Sequence, residues 1–153
     1  MNRFDLVARA AARPSVGRRY FTVSEANRSL VLVKRIVADV MRLYDRLLDL
    51  QEMIDASHDR GAYRQCEQFH DEIVGVAEKL QTCAEELDDV GVVLQDWSQG
   101  IVNFPHLMEG KEACLSWRCG DKRVEYWHEI DAAFAERQKV PAIPSGQPIG
   151  SIS

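Results

Sequence analysis

Two long apolar seams of matching period dominate this chain. Val33, Ile36, Val40, Leu43, Leu47, Leu50 and Ile54 are spaced by three and four residues without a break. Cys66, Phe69, Ile73, Val76, Leu80, Cys83, Leu87 and Val90 repeat the pattern. Such spacing lays every apolar side chain on one stripe of an α-helix, as in the seam of a coiled coil. Between the seams, His58-Asp59-Arg60-Gly61 reads as a turn. Two matched seams and a short turn predict an antiparallel helical hairpin. Thr22-Val23-Ser24-Glu25 has the spacing of a capping box, with Phe21 placed to staple onto Ala26. The first helix is expected to run to about Ser57, and Gly91 is placed to stop the second.

The two helices differ. The second is acidic away from its seam, with eight acids and two bases between residues 62 and 90. The first carries a second apolar stripe, Val37, Met41, Tyr44 and Leu48. It is therefore the central helix, and its extra stripe must bury somewhere. Either the segment that follows the hairpin covers it, or a second copy does. The second option makes these four residues the interface of a homo-oligomer, in the simplest case a dimer.

After Gly91 the period becomes two. Val92 to Trp97 and Gly100 to Phe104 read as strands, with Pro105 ending the latter. Lys111–Cys119 and Arg123–Ile130 read as a hairpin around Gly120-Asp121-Lys122. A two-residue loop there sets Arg118 opposite Glu125 and Leu115 opposite His128. The inward face then holds Ala113, Leu115, Trp117, Cys119, Val124, Tyr126, His128 and Ile130. Asp131 to Gln138 reads as a short helical or irregular piece. The fold class is α+β: a long antiparallel α-helical hairpin, coiled-coil-like, followed by a small antiparallel β-sheet.

Charge and composition bound what surrounds this core. The chain has 153 residues and a net charge of -5, too acidic for a globally basic nucleic-acid binder. No apolar run approaches the ~18 residues of a membrane span. Residues 1–21 hold five arginines and one acid, a local +4, which leaves -9 for the rest. Residues 1–20 are expected to be a basic flexible tail, residues 21–139 one domain, and the Pro/Gly/Ser-rich residues 140–153 a second flexible tail. The cysteines at 66, 83, 114 and 119 form no C-x-x-C pair. Cys66 and Cys83 fall roughly 25 Å apart along one helix, beyond bonding reach. Cys114 and Cys119 share a strand at odd separation and face opposite sides. Buried reduced thiols in the cytoplasm are the expectation.

Five stretches in order resemble a bacterial family known as domain of unknown function 2203. They are Tyr20-Phe21-Thr22-Val23-Ser24-Glu25-Ala26-Asn27, Gly100 to Pro105, Leu115 to Asp121, Val124-Glu125-Tyr126-Trp127-His128 and Phe134-Ala135-Glu136-Arg137. The family often has Cys where this chain has Ser116, and Glu where it has Asp121. It tends to have Gly where this chain has Ala133 and Glu136. The missing Cys argues against a catalytic thiol at that position. The resemblance implies no particular activity.

Chemistry-bearing residues gather in the second half. His128, with Asp131 three residues on, has the makings of an acid–base group or a metal ligand. A core histidine bonded to Asp131 or to a backbone group is the plainer role. Trp117, Arg118, Trp127 and Arg137 combine arginine with aromatic faces, which suits a carboxylate or phosphate ligand. Tryptophans in the sheet core and an Arg118–Glu125 pair are the plainer reading. Glu67-x-x-His70 is half of a di-iron motif, but the chain has no second copy and a solvated pair is expected. His58 and His106 fall in expected turns. No phosphate loop, nucleophile elbow or H-E-x-x-H is present, so neither a catalytic residue nor a cofactor is assigned.

Two classes of function follow. One is a non-enzymatic interaction or scaffold protein that self-associates through the first helix. The other is a small-ligand or metal-binding protein, redox or catalytic, centred on His128. The last residues, Pro148-Ile149-Gly150-Ser151-Ile152-Ser153, resemble the peptides that load cargo into encapsulin shells. They depart from those peptides in having Ile152 for Leu. That resemblance makes an encapsulin shell a candidate partner.

Overall fold

The computed structural model describes residues 19–141. The basic segment 1–18 and the segment 142–153, with the docking motif Pro148 to Ile152, lie outside the described residues. Helix α1 spans Val23–Asp59 and α2 spans Tyr63–Val90. A five-stranded antiparallel sheet follows: β1 Val93–Asp96, β2 Ile101–Met108, β3 Lys111–Arg118, β4 Tyr126–Glu129 and β5 Gln138–Lys139, in spatial order β1 to β5. The fold is α+β, two packed helices followed by a sheet of neighbouring antiparallel strands.

The helix ends obey their local chemistry. The Thr22 side chain accepts from the Glu25 N–H, and the Glu25 carboxylate accepts from the Thr22 N–H. The capping box thus satisfies two donors that a helix start leaves orphaned. α1 runs two residues past Ser57, so His58 and Asp59 complete its last turn instead of forming a loop. Gly61 then takes a positive φ of 72°, and Ala62 N–H reaches back to the Ser57 carbonyl. Gly91 repeats this geometry at the end of α2, with φ 97° and a Val92 N–H bond to Leu87. Both are Schellman endings, which need a residue that tolerates the left-handed region.

Both seams are buried against each other, from Val33 to Ile54 on α1 and from Cys66 to Leu87 on α2, with Phe69 and Val90 partly covered. The inner face of the sheet adds Val102, Phe104, Leu115 and Trp117 to the same core.

The sheet departs from expectation in three places. β2 does not end at Pro105. Beyond Asn103 it has no β1 partner, so the missing proline N–H falls on a bare edge where no ladder bond is lost. The Pro105 carbonyl on that edge accepts from Phe21 N–H at 2.6 Å instead. His106, expected in a turn, lies inside β2, and its Nδ1 meets the Phe21 carbonyl. The third difference is the β3–β4 register. Cys114 pairs with His128, Leu115 with Trp127 and Ser116 with Tyr126. This is one residue off the expected pairing, and a slip of one turns every side chain to the other face. Tyr126 and His128 therefore leave the core face and Trp127 joins it, while Cys119 and Ile130 are exposed.

The extra stripe of α1 is covered within the chain for most of its length. Val37 is fully buried, Met41 and Tyr44 partly. The β1–β2 turn lies on them. A Cβ on Gly100 would stand 2.8 Å from Val37 Cγ1 and 2.6 Å from Met41 Sδ. Trp97 packs against Tyr44 with ring centroids 6.0 Å apart. Leu48 alone of the four stays exposed, at 39%.

Two substitutions test this joint. Gly100→Ala combines a positive φ with a clash against a stiff β-branched side chain, so stability should fall by about 1–3 kcal/mol. Asn27 binds Val124 through both ends of its amide, donating to its carbonyl at 3.0 Å and accepting from its N–H at 2.8 Å. Asn27→Ala leaves both backbone groups unpaired and should lower stability by roughly 2–3 kcal/mol. Denaturant midpoints check both, and an unchanged midpoint refutes the corresponding contact.

Candidate functional site

The residues offered for a ligand site fall on two faces of the sheet. Trp117 is buried in the core, and its Nε1–H donates to the Asp121 carbonyl at 3.1 Å. Trp127 packs against the same core from β4. Arg118, Tyr126 and His128 project from the opposite face, away from the helices. The expected assembly of both tryptophans with Arg118 and His128 in one pocket is therefore not formed. Asp131 is exposed, and His128 takes other partners.

On the outer face, Arg137 is the centre of a closed cluster. Its guanidinium lies 4.1 Å from the Tyr126 ring centroid and 4.2 Å from that of Phe134. The same group donates to Asp121 Oδ2 at 2.8 Å. That oxygen also accepts from the Arg118 N–H at 3.0 Å, and the Arg118 guanidinium lies 5.3 Å from the Phe134 ring. Both faces of Arg137 and its carboxylate partner come from this chain. An arginine so held ties the Phe134 turn and the β3–β4 loop to the sheet. The expected Arg118–Glu125 pair is replaced as well, since Glu125 takes Arg123.

His128 is only 2% exposed, on the face opposite the one expected. Its Nδ1 lies 2.7 Å from the Glu129 carbonyl, which only accepts, so Nδ1 carries the proton. Nε2 lies 3.3 Å from Asn103 Oδ1. Asn103 in turn bonds Gln95 at 2.7 Å. The ring is thus locked by two neighbours that sequence reasoning missed. Asn103 stands in β2, and only the register of three strands places it beside a residue 25 positions on.

Beside His128, Cys114 half-faces solvent and lines a shallow groove of about 130 Å³ with Tyr20, Val93, Asn103, Pro105 and Ile130. Tyr20 bonds the Glu112 carboxylate at its rim. Ser116, two residues along the same face, is fully buried, and its Oγ has no hydrogen-bond partner among the described residues. Cys66 and Cys83 are buried, Cys119 is exposed, and none of the four thiols is in a disulfide. The expectation of four buried thiols thus fails at Cys114, which is half-buried, and at Cys119, which falls just past the end of β3 and is exposed.

Among the described residues, no group of three or more His, Cys, Asp or Glu is placed to hold a metal ion. Glu67 and His70 are both exposed on α2. No helix among the described residues is long and apolar enough to cross a membrane.

Asp121 gives the cluster a pH signature. Burial pushes its carboxyl up, but the Arg137 hydrogen bond, the Arg118 N–H and the two guanidinium charges outweigh burial. The net result lies below the ordinary value of 3.8. A carboxyl depressed on folding stabilises fully above its unfolded value and loses that contribution as the pH falls through its folded one. Asp121→Asn should therefore be less stable than wild type at neutral pH, with the gap closing as the pH falls below 3.8. Denaturant midpoints across that range check this, and a constant gap refutes it.

No curated protein and no solved structure matches the chain. A family model does, over residues 19–140, described as an uncharacterized conserved protein, DUF2203. The match spans both helices and all five strands, and the five stretches quoted above lie inside it. All five of those stretches carry contacts just described: the capping box and Asn27, the Gly100 turn, the Asp121 loop, the Val124–His128 segment, and the Phe134–Arg137 clasp. The chain is a member of the domain of unknown function 2203 family.

Proposed function

We propose that this protein is a non-enzymatic interaction protein that self-associates along α1. The observation that carries the reading is Leu48. It prolongs the apolar stripe one helical turn past Tyr44, the last stripe residue that Trp97 packs on, and it stays 39% exposed. An exposed leucine one turn from the half-buried Tyr44 extends an apolar stripe to the surface, and apolar surface of that kind favours association. The polar residues best suited to catalysis support the same reading, because Arg137, Asp121 and His128 are engaged in holding the fold. Cysteines that form no disulfide accord with a cytoplasmic setting.

Leu48→Asp tests the reading. Leu48 is exposed, so the substitution should leave folding intact while placing charge in the contact. Sedimentation should then give a dimer for wild type and a monomer for the variant. Val37→Asp is not a substitute, because Val37 is buried under Gly100 and its loss would unfold the chain. A wild-type monomer at micromolar concentration overturns the proposal.

A second reading, a small-ligand protein centred on His128, is favoured by the groove that Asn103 and Cys114 line beside that ring. Native mass spectrometry of purified protein, showing a bound small molecule or metal, is its test. The cargo reading through Pro148 to Ile152 rests on the sequence alone. Co-expression with an encapsulin shell tests it, and shells that co-purify equally well without residues 147–153 refute it.

A further inference from the structure

The outer sheet face is apolar at the corner where the chain enters the fold. Tyr20, Val93, Pro105 and Ile130 wall the groove there, and Glu112 is the only charged side chain among the described residues that line it. Asn103, Pro105 and Leu107 alternate with inward residues along β2, so Leu107 continues the same face past the groove. Eight large apolar side chains are exposed among the described residues, and three of them, Tyr20, Leu107 and Ile130, gather at this corner. Single exposed apolar residues need no explanation, whereas a cluster around a groove marks a seat for something apolar. At about 130 Å³ the groove suits a short stretch of chain and not a folded domain.

We infer that the occupant is the segment that immediately precedes the groove in this same chain, Arg13-Pro14-Ser15-Val16-Gly17-Arg18, with Val16 against the apolar walls and Arg18 facing Glu112. Position is the first reason. Tyr20 is itself a wall of the groove, while its neighbours turn the other way. Phe21 is buried in the core, and the Arg19 guanidinium lies 4.4 Å from the Phe21 ring and 3.6 Å from the Glu25 carboxylate. Side chains of an extended stretch alternate, so a continuation of this one puts Arg18 on the side of Tyr20. Val16 is four residues from Tyr20, a span of at most ~14 Å.

Charge is the second reason. Residues 1–18 hold four arginines and one aspartate, and the charge in the groove is negative. Opposite charge draws the segment to that corner, where the Tyr20 hydroxyl holds the Glu112 carboxylate at the rim. The segment also suits an apolar seat. Pro14 has no N–H to leave unpaired, and Gly17 has no side chain to crowd Tyr20. The rival segment is 142–153. It is uncharged, and it departs from β5, two strands away from Cys114, where the Val140 N–H bonds the Glu125 carbonyl. The inference is separate from self-association along α1 and holds for a monomer or a dimer.

The test places the photo-crosslinking residue p-benzoylphenylalanine in place of Val16 in the full chain and identifies crosslinked peptides by mass spectrometry. Val16 lies outside the described residues, so every contact given above stays intact. Crosslinks within one chain to Pro105, Glu112 or Ile130 are expected, and the same group in place of Ile149 should give none there. Glu112→Lys should lower the yield roughly two- to fivefold, the scale of an exposed ion pair. That change also removes the bond to Tyr20, so a second variant isolates charge. Arg18→Glu added to Glu112→Lys cannot mend the Tyr20 bond, yet it should restore the yield. Crosslinks from position 16 to a second copy, to another surface or to nothing overturn the inference, as does capture of the groove from position 149. A yield left low in the double variant overturns the pairing of Arg18 with Glu112.

Discussion

The rest of the structure depends on the joint between the first turn of α1 and the sheet. Phe21 donates its N–H to the Pro105 carbonyl, and its own carbonyl meets His106. Asn27, one turn further on, holds both backbone groups of Val124. Phe21 also packs edge-on against Phe104, with centroids 5.3 Å apart. These contacts tie one end of the hairpin to β2 and to the β3–β4 loop, so the sheet has a single place to dock. With the sheet docked there, the β1–β2 turn falls on Val37 and Met41, and Gly100 is the residue small enough to make the contact. A seam by itself would let a sheet slide along the helices, because its apolar spacing is nearly uniform. Directional hydrogen bonds from buried or half-buried groups remove that freedom, since each is costly to leave unmade.

The helices were legible because their signals are local. Three- and four-residue spacing, a capping box and two glycines specify elements whose bonds close within a few residues. Strand identity was legible for the same reason, as alternation marks a pleated segment. Register was not. The expected β3–β4 pairing rested on a two-residue loop and on charge matching between Arg118 and Glu125. The actual loop is longer because Asp121 folds back on the Arg118 N–H and because Asn27, 97 positions away, holds Val124. A partner that distant leaves no trace in local spacing. Pro105 shows the converse error. A local rule ended the strand, while the true constraint was whether a neighbour stood on that edge.

The candidate site inherits this error of register. The residue types stand in the sequence: arginine near aromatics, a histidine three residues before Asp131, a tryptophan pair. Their assembly depended on parity, and a shift of one residue moved His128 away from the tryptophans and set it beside Asn103 and Cys114. The same shift gave Arg137 both of its aromatic faces, since Tyr126 left the core to meet it. A guanidinium stacked on two rings and bonded to a carboxylate can belong to a ligand site or to a clasp. The partner of its charge decides between them, and here Asp121 of the same chain fills that role.

Division of labour along the chain follows from where the sheet stops. α1 has 37 residues, so at ~1.5 Å per residue it is much longer than the span from Phe21 to Tyr44 that the sheet and its turns engage. Up to Tyr44, the extra stripe of α1 is covered by the β1–β2 turn, with Val37 buried and Met41 and Tyr44 half-buried. Beyond it, Asp49, Glu52 and Asp55 take over, and Leu48 stands at the boundary. A second copy meeting the helix at that boundary would lengthen the covered stripe by one step without disturbing either seam. The outer sheet face, with Cys114 and His128, points away from the helices.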